Sequence, residues 1–360
     1  MSKKVSSLIR AEVQAMQAYH VQPAGDMIKL DAMENPYAIP AELQAAWLEA
    51  LGNAAVNRYP DPSPEHLIGL LRTTQQIPHT AQVILGNGSD ELIQMICMSV
   101  AEKDRVVLSV DPTFVIFEQA ARLTGMRYQA VPLHQDFTLN LPAMLEAIAV
   151  HQPAVIFLAY PNNPTGQLFD KSDVQKILAA APGIVVIDEA YGPFAADTLM
   201  SELTQNDNML LMRTLSKYGL AGCRFGYLSG AADWIEQINK VRMPYNINVL
   251  TQVTVQFALE RNDVFIRQAE EIKSSRDLLT EKLRALPSLM VHESQANFII
   301  FKTPDGQAAD IFEGLKSAGV LIKNMSPLGG LLTDYLRVTV GSPEENQIFE
   351  DALNTLLTAA

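Results

Sequence analysis

At 360 residues, with 48% hydrophobic and 19% charged residues, the chain can bury a large core and divide into two units. Its 27 Lys+Arg against 40 Asp+Glu leave a formal charge of −13, which argues against a general nucleic-acid or anionic-membrane surface. No apolar run reaches the roughly 18 residues of a membrane span and no leader pattern is visible, so a cytoplasmic protein is expected.

In chain order, residues 5–16 carry a helical pattern, and an irregular Pro-, Asn- and Asp-rich stretch follows to about residue 40. Too short for a core of their own, these residues are expected to complete a smaller domain or to lie across a cleft. From about 82 to 227, short apolar runs at 82–85, 105–110, 154–159, 184–187, 209–213 and 225–229 alternate with amphipathic stretches such as 172–181. That alternation predicts βα units on a mostly parallel sheet. After residue 230 comes a long helical pattern at 263–286, then short strands at 289–292, 298–302, 320–323 and 336–340. The expected fold is α/β: a large domain at 45–235, whose mostly parallel sheet is covered by helices, and a smaller α+β domain from 1–44 and 236–360. Cys97 and Cys223 are too few for a disulfide framework and form no C-x-x-C pair, so buried thiols are expected.

Open parallel sheets bind ligands at the carboxyl ends of their strands, so the residues just after each strand matter most. Gly86-Asn87-Gly88-Ser89-Asp90-Glu91 opens a helix, where free amides and the positive dipole end suit a phosphate. Ser89 and Asp90 are equally good N-caps. Two prolines and a glycine in Tyr160-Pro161-Asn162-Asn163-Pro164-Thr165-Gly166 shape a turn that either presents an asparagine or is only a turn. Asp188 follows a buried run and needs a partner, whether cap, ion pair or ligand. Between residues 213 and 226, two hydroxyls, a lysine and an arginine are interleaved with glycines, which packing alone does not explain.

Together, Asn163-Pro164-Thr165-Gly166, Asp188 with Tyr191, and Ser216-Lys217 followed by Gly219, Leu220, Ala221, Gly222 and Arg224 resemble the fold type I pyridoxal-phosphate aminotransferases. The resemblance runs through residues 31–37, 57–60, 86–91, 296–298 and 336–341 and is nearest to the branch acting on histidinol phosphate. It implies that Lys217 holds pyridoxal 5′-phosphate covalently and moves a proton, while Asp188 pairs with the ring nitrogen. Asn163 and Tyr191 are implied at the phenolic oxygen, and Phe114 on the ring. The phosphate falls to Gly88, Ser89, Asp90, Thr214, Ser216 and Arg224. Arg337, Lys323 and Tyr19 are implied to meet substrate, an amino donor and a 2-oxo acid. Tyr59 is implied to reach the phosphate of a neighbouring subunit in a homodimer with shared sites. Departures are Phe114 where many relatives carry tyrosine, Lys323 where they carry arginine, and a Lys217-to-Arg224 spacing one residue shorter than in some. An aromatic amino-acid aminotransferase or a phosphothreonine decarboxylase would share Lys217 and Asp188. A nucleotide-binding protein is disfavoured, because the turn after the first large-sheet strand lacks G-x-G-x-x-G.

Overall fold

The computed structural model describes residues 3–18 and 21–359. After a two-residue strand β1 (Ile28–Lys29) come seven strands: β2 (Gln82–Gly86), β3 (Val106–Asp111), β4 (Arg127–Pro132), β5 (Val155–Ala159), β6 (Ile184–Asp188), β7 (Met209–Thr214) and β8 (Gly226–Gly230). They form one sheet in the order β2-β8-β7-β6-β5-β3-β4. β8 pairs antiparallel with both its neighbours and the remaining pairs are parallel, so all strands but β8 end on the same edge. The chain steps outward from β3 to β4, jumps back to β5, and then runs the other way through β6 and β7. The strand order therefore reverses between β3 and β5, and the loops after those strands diverge there.

Strands covered on both faces read as unbroken apolar runs. All five residues of β5 and of β6 are buried. Alternate residues nevertheless feed different cores: Val155, Phe157, Ile184, Val186, Leu210 and Met212 pack on one face, and Ile156, Leu158, Val185, Ile187, Met209 and Leu211 on the other. This two-residue period sends Asp188 and Thr214 to the first face and Arg213 to the second.

The remaining strands are β9 (Met290–Val291), β10 (Phe298–Lys302), β11 (Val320–Leu321), β12 (Lys323–Asn324) and β13 (Tyr335–Thr339). A four-stranded sheet, β12-β13-β10-β9, packs with helices Asn262–Arg284, Ala308–Ser317 and Pro343–Ala359 around a separate apolar cluster including Leu30, Phe298, Phe301 and Phe349.

Three expectations change. The pattern at 5–16 forms two short helices, Lys3–Leu8 and Ala11–Ala15, because Arg10 is extended (φ −56°, ψ 143°). The predicted strand 320–323 divides: β11 pairs parallel with β1, and β12 pairs antiparallel with β13. β4 was not predicted; it is a half-exposed edge strand ending in proline and lacks the apolar run of an interior strand. Both cysteines are free; Cys97 is buried and Cys223 partly so.

Candidate active site

The carboxyl edge of the large sheet surrounds a cavity of about 110 Å³ lined by Met33, Ser89, Asp90, Phe114, Ala159, Asn163, Asp188, Ala190, Tyr191, Thr214, Ser216, Lys217 and Arg224. Ten of the residues singled out in the sequence thus meet around one space, and Gly88 touches its rim through Arg224.

One end is built for an anion. Helix Ser89–Val100 has Gly88 at its N-cap (φ 81°), with no side chain capping it. The capping alternative for Ser89 and Asp90 therefore fails, and the first helical amides belong to cavity-lining residues. A Cβ on Gly88 would lie 2.8 Å from Arg224 Nη2, and one on Gly226 would lie 2.9 Å from the Ser89 nitrogen. Glycine at 88 admits the guanidinium at this distance, and glycine at 226 lets its strand pass close to the Ser89 backbone. Arg224 itself has φ 48°, and its Nη2 donates to Asp90 Oδ2 (2.9 Å) while Nη1 donates to Ser216 Oγ (3.4 Å). The Thr214 and Ser216 hydroxyls lie 2.9 Å apart. Glu91 accepts the Asn87 N–H (2.6 Å) and the Asn246 amide (2.7 Å), which fixes the turn.

The other end holds a buried acid. Asp188, 3% exposed at the end of β6, accepts the Ala190 N–H at Oδ1 (3.0 Å). Burial pushes its carboxyl up to about 7, a state suited to a cationic partner arriving with a ligand. Between the ends, Lys217 Nζ donates to the Ala32 carbonyl (3.0 Å) and sits 6.0 Å from the Tyr191 ring. Burial, followed by the charge of Arg337, lowers its ammonium to about 8.

Asn163 is buried, and its Oδ1 accepts from Arg337 Nη1 (2.6 Å), which leaves its amide N–H groups as the donors to a ligand. Its neighbour Asn162 donates to Pro112 O and Thr165 Oγ1 and accepts from Thr113 Oγ1, all at 3.0 Å, so it ties the loop after β3 to the loop after β5. Tyr191 packs edge-on to Phe298 at 5.1 Å.

Met33, Phe114 and Asn163 also line a second cleft of about 580 Å³, whose far walls include Lys323, Leu328, Leu332 and Arg337. Lys323 and Arg337 are register partners on β12 and β13. Arg337 Nη2 donates to the Asp31 carbonyl at 3.0 Å. Tyr59 is elsewhere: 81% exposed, it stacks on Tyr245 at 4.5 Å and is not a lining residue of the cavity. Tyr19 lies outside the described residues. The sequence reading missed Met33 and the Ala32 carbonyl. Backbone acceptors carry no sequence signal, although their segment, residues 31–37, was singled out.

Pyridoxal 5′-phosphate fits these residues: an amide, hydroxyl and guanidinium cradle for its phosphate, a carboxylate for its ring nitrogen, and a buried amine between them. Among the described residues no cluster of metal-ligating side chains occurs.

The model of the aminotransferase class I and II family matches residues 25–353, and the chain belongs to that family. Its cofactor is pyridoxal 5′-phosphate. A histidinol-phosphate aminotransferase 2 of Nitrosococcus oceani is 53% identical over 97% of each chain. A histidinol-phosphate aminotransferase of Chromobacterium violaceum is 47% identical over 98% of this chain and 99% of that one. Among solved structures, the histidinol-phosphate aminotransferase of Sinorhizobium meliloti in complex with pyridoxal-5′-phosphate superposes with a TM-score of 0.87, at 23% identity over 98% of both chains. The fold is shared.

The buried acid has a measurable consequence for the cofactor-free protein. The folded-state value of Asp188, about 7, exceeds the ordinary carboxyl value near 4, so the native state binds the extra proton between those limits. The stabilisation is complete below about pH 4 and is lost as pH rises through about 7, on the order of 4 kcal/mol in all. Asp188→Asn mimics the protonated form and does not titrate. In thermal melts of cofactor-free protein, wild type should fall behind Asp188→Asn between about pH 4 and 7, and the gap should level off above. A gap constant with pH would mean that Asp188 is not the titrating group.

Proposed function

We propose that this chain transfers the amino group of histidinol phosphate to 2-oxoglutarate, acting as a cytoplasmic homodimer. The observation that carries the reading is the pair of cations, Arg337 and Lys323, lining a cleft that continues from the Lys217 cavity. Such a cleft suits a substrate with an anionic group some distance from its reacting amine. Relatives between 45% and 53% identical over nearly the whole chain and named histidinol-phosphate aminotransferases support the same substrate. Residues 45–235 would form the cofactor-holding domain, with 1–44 and 236–360 as the smaller one.

The bound cofactor supplies an electron sink, which lets the C–H bond beside the substrate nitrogen break. Lys217 Nζ would hold it covalently until a substrate amine took its place, and the freed amine would then serve as the base that takes the proton from the substrate Cα. A lowered affinity for protons makes the freed amine an effective base near neutral pH. Asp188 would keep the ring nitrogen protonated, Asn163 and Tyr191 would serve as donors to the phenolic oxygen, and Phe114 would cover the ring. Gly88 would permit the close approach of the phosphate to the Ser89 and Asp90 amides, Thr214, Ser216 and Arg224. The family resemblance would add Tyr19, outside the described residues, as a further substrate contact.

The test is direct. Purified enzyme with 2-oxoglutarate is offered histidinol phosphate, phenylalanine, tyrosine or phosphothreonine, and formation of glutamate and of carbon dioxide is followed. Histidinol phosphate should give the highest kcat/KM. A preference for an aromatic amino acid, or carbon dioxide from phosphothreonine, would replace this reading with that activity.

Shared sites make a second prediction. In the single chain Tyr59 is exposed and held by Tyr245, which suits a side chain offered to another subunit. Mixed dimers of Lys217→Ala and Tyr59→Ala chains would contain one doubly defective site and one with both residues intact. In a 1:1 statistical mixture about a quarter of all sites would then be wild type. If mixing never exceeds the mean of the parents, while Tyr59→Ala alone is impaired and dimeric by sedimentation, Tyr59 serves its own chain.

A further inference from the structure

Glu189 follows Asp188, and Arg213 precedes Thr214; neither lines the cavity. Their strands are neighbours, with Asp188 opposite Met212 and the Glu189 N–H donating to the Met212 carbonyl (2.8 Å). Because side chains alternate along a strand, these two residues turn to the face opposite the cavity. There they meet: Arg213 Nε (3.0 Å) and Nη2 (2.7 Å) both donate to Glu189 Oε2. Glu189 is 1% exposed, and its Oε1 accepts the Leu199 N–H (2.7 Å) and the Thr198 hydroxyl (2.9 Å). Arg213 Nη2 also reaches Thr198 Oγ1 (2.8 Å), and Nη1 reaches the carbonyl and the side-chain oxygen of Gln75 (3.3 and 3.4 Å).

Burying two charges is costly, and well-packed apolar side chains often serve stability as well or better. A forked ion pair with its remaining donors and acceptors satisfied does something apolar packing cannot: it fixes the relative position of two backbone segments to within a hydrogen bond's tolerance. The two segments carry Asp188, at the ring-nitrogen end of the cavity, and Thr214, at the phosphate end. We propose that the Glu189–Arg213 pair positions the cofactor site, setting from behind the sheet the separation between the carboxylate and the phosphate cradle. Glu189 and Arg213 touch no ligand; they are positioning residues. This rests on the assignment of Asp188 and Thr214 to the cofactor.

The discriminating variant is Glu189→Met/Arg213→Met, which removes both charges and strands neither. Purified holoenzyme is measured for cofactor dissociation, for the pH midpoint of the visible absorbance of the lysine-bound cofactor, for kcat and KM, and for thermal stability. The expected result is a fold as stable as wild type, cofactor affinity lower by roughly tenfold, a displaced midpoint, and a loss in kcat exceeding any change in KM. Arg213→Lys keeps the charge but not the fork; it should show the same defects in milder form, and it carries the test if the double variant does not accumulate. Unchanged affinity and midpoint in these variants would overturn the proposal and leave the pair a stability element. Thr214→Ala separates the two levels: if it too leaves cofactor affinity unchanged, the assignment of the cofactor site fails, and not merely its support.

Discussion

Lys217→Ala should retain the fold and bind cofactor, yet lack the visible absorbance of the lysine-bound form and lose turnover by at least ~10³-fold. The expectation follows from position and environment together. Nζ is held on the Ala32 carbonyl at 3.0 Å, between the carboxylate of Asp188 and the cradle around Arg224, and among the described residues no other lysine lines this cavity. With its ammonium lowered to about 8, about half of such amines are neutral at pH 8, against well under 1% for a free lysine. A neutral amine is what both attachment and proton removal need. Arginine at 217 would preserve charge and not rescue, since a guanidinium stays protonated. Wild-type rates in the purified alanine variant would remove Lys217 from the chemistry.

The strand ends were legible because a doubly covered sheet demands apolar runs, and a polar residue directly after such a run has few structural reasons to be there. Asp188, Asn163 and the Lys217 segment all stood out on that ground, and the family resemblance gave them roles. Ser89 and Asp90 were ambiguous in sequence, since a cap and an anion site use the same residue types. In the structure Gly88 takes the N-cap position, so neither Ser89 nor Asp90 caps the helix, and its missing side chain admits Arg224. The edge strand β4 and the break at Arg10 were not legible: neither is set by an apolar period, and tertiary pairing decides both. Glu189 and Arg213 escaped for a different reason. Each sits beside a stronger signal, and only the two-residue strand period with the β6–β7 register brings them together. Tyr59 is an opposite case: in the single chain it is exposed and stacked on Tyr245, and its proposed role would need a second subunit.

Arg337 is the site residue whose loss should most change substrate handling while sparing the cofactor's attachment. It lies on β13, 7% exposed, with Nη1 on Asn163 Oδ1, Nη2 on the Asp31 carbonyl and its guanidinium 5.2 Å from the Phe298 ring centre. These contacts orient a planar cation at the junction between the cofactor cavity and the larger cleft, where either a carboxylate or a phosphate can take two parallel hydrogen bonds. Removing such a contact costs very roughly 2–4 kcal/mol, so Arg337→Ala should lower kcat/KM for both 2-oxoglutarate and histidinol phosphate by about 30- to 1000-fold. Arg337→Lys should fall between, because an ammonium keeps the charge without the fork. The charge of Arg337 also helps hold Lys217 low, so its removal should raise the pH at which Lys217 deprotonates. By the same charge argument, the visible absorbance of the lysine-bound cofactor should titrate at higher pH in Arg337→Ala, provided that Asn163, freed of its partner, stays in place. Arg337→Gln checks that condition by offering Asn163 a neutral donor: it should show the same shift in titration with a smaller disturbance of the cofactor. Loss of affinity for only one of the two substrates would confine Arg337 to one half-reaction, and unchanged affinity for both would remove it from the substrate site.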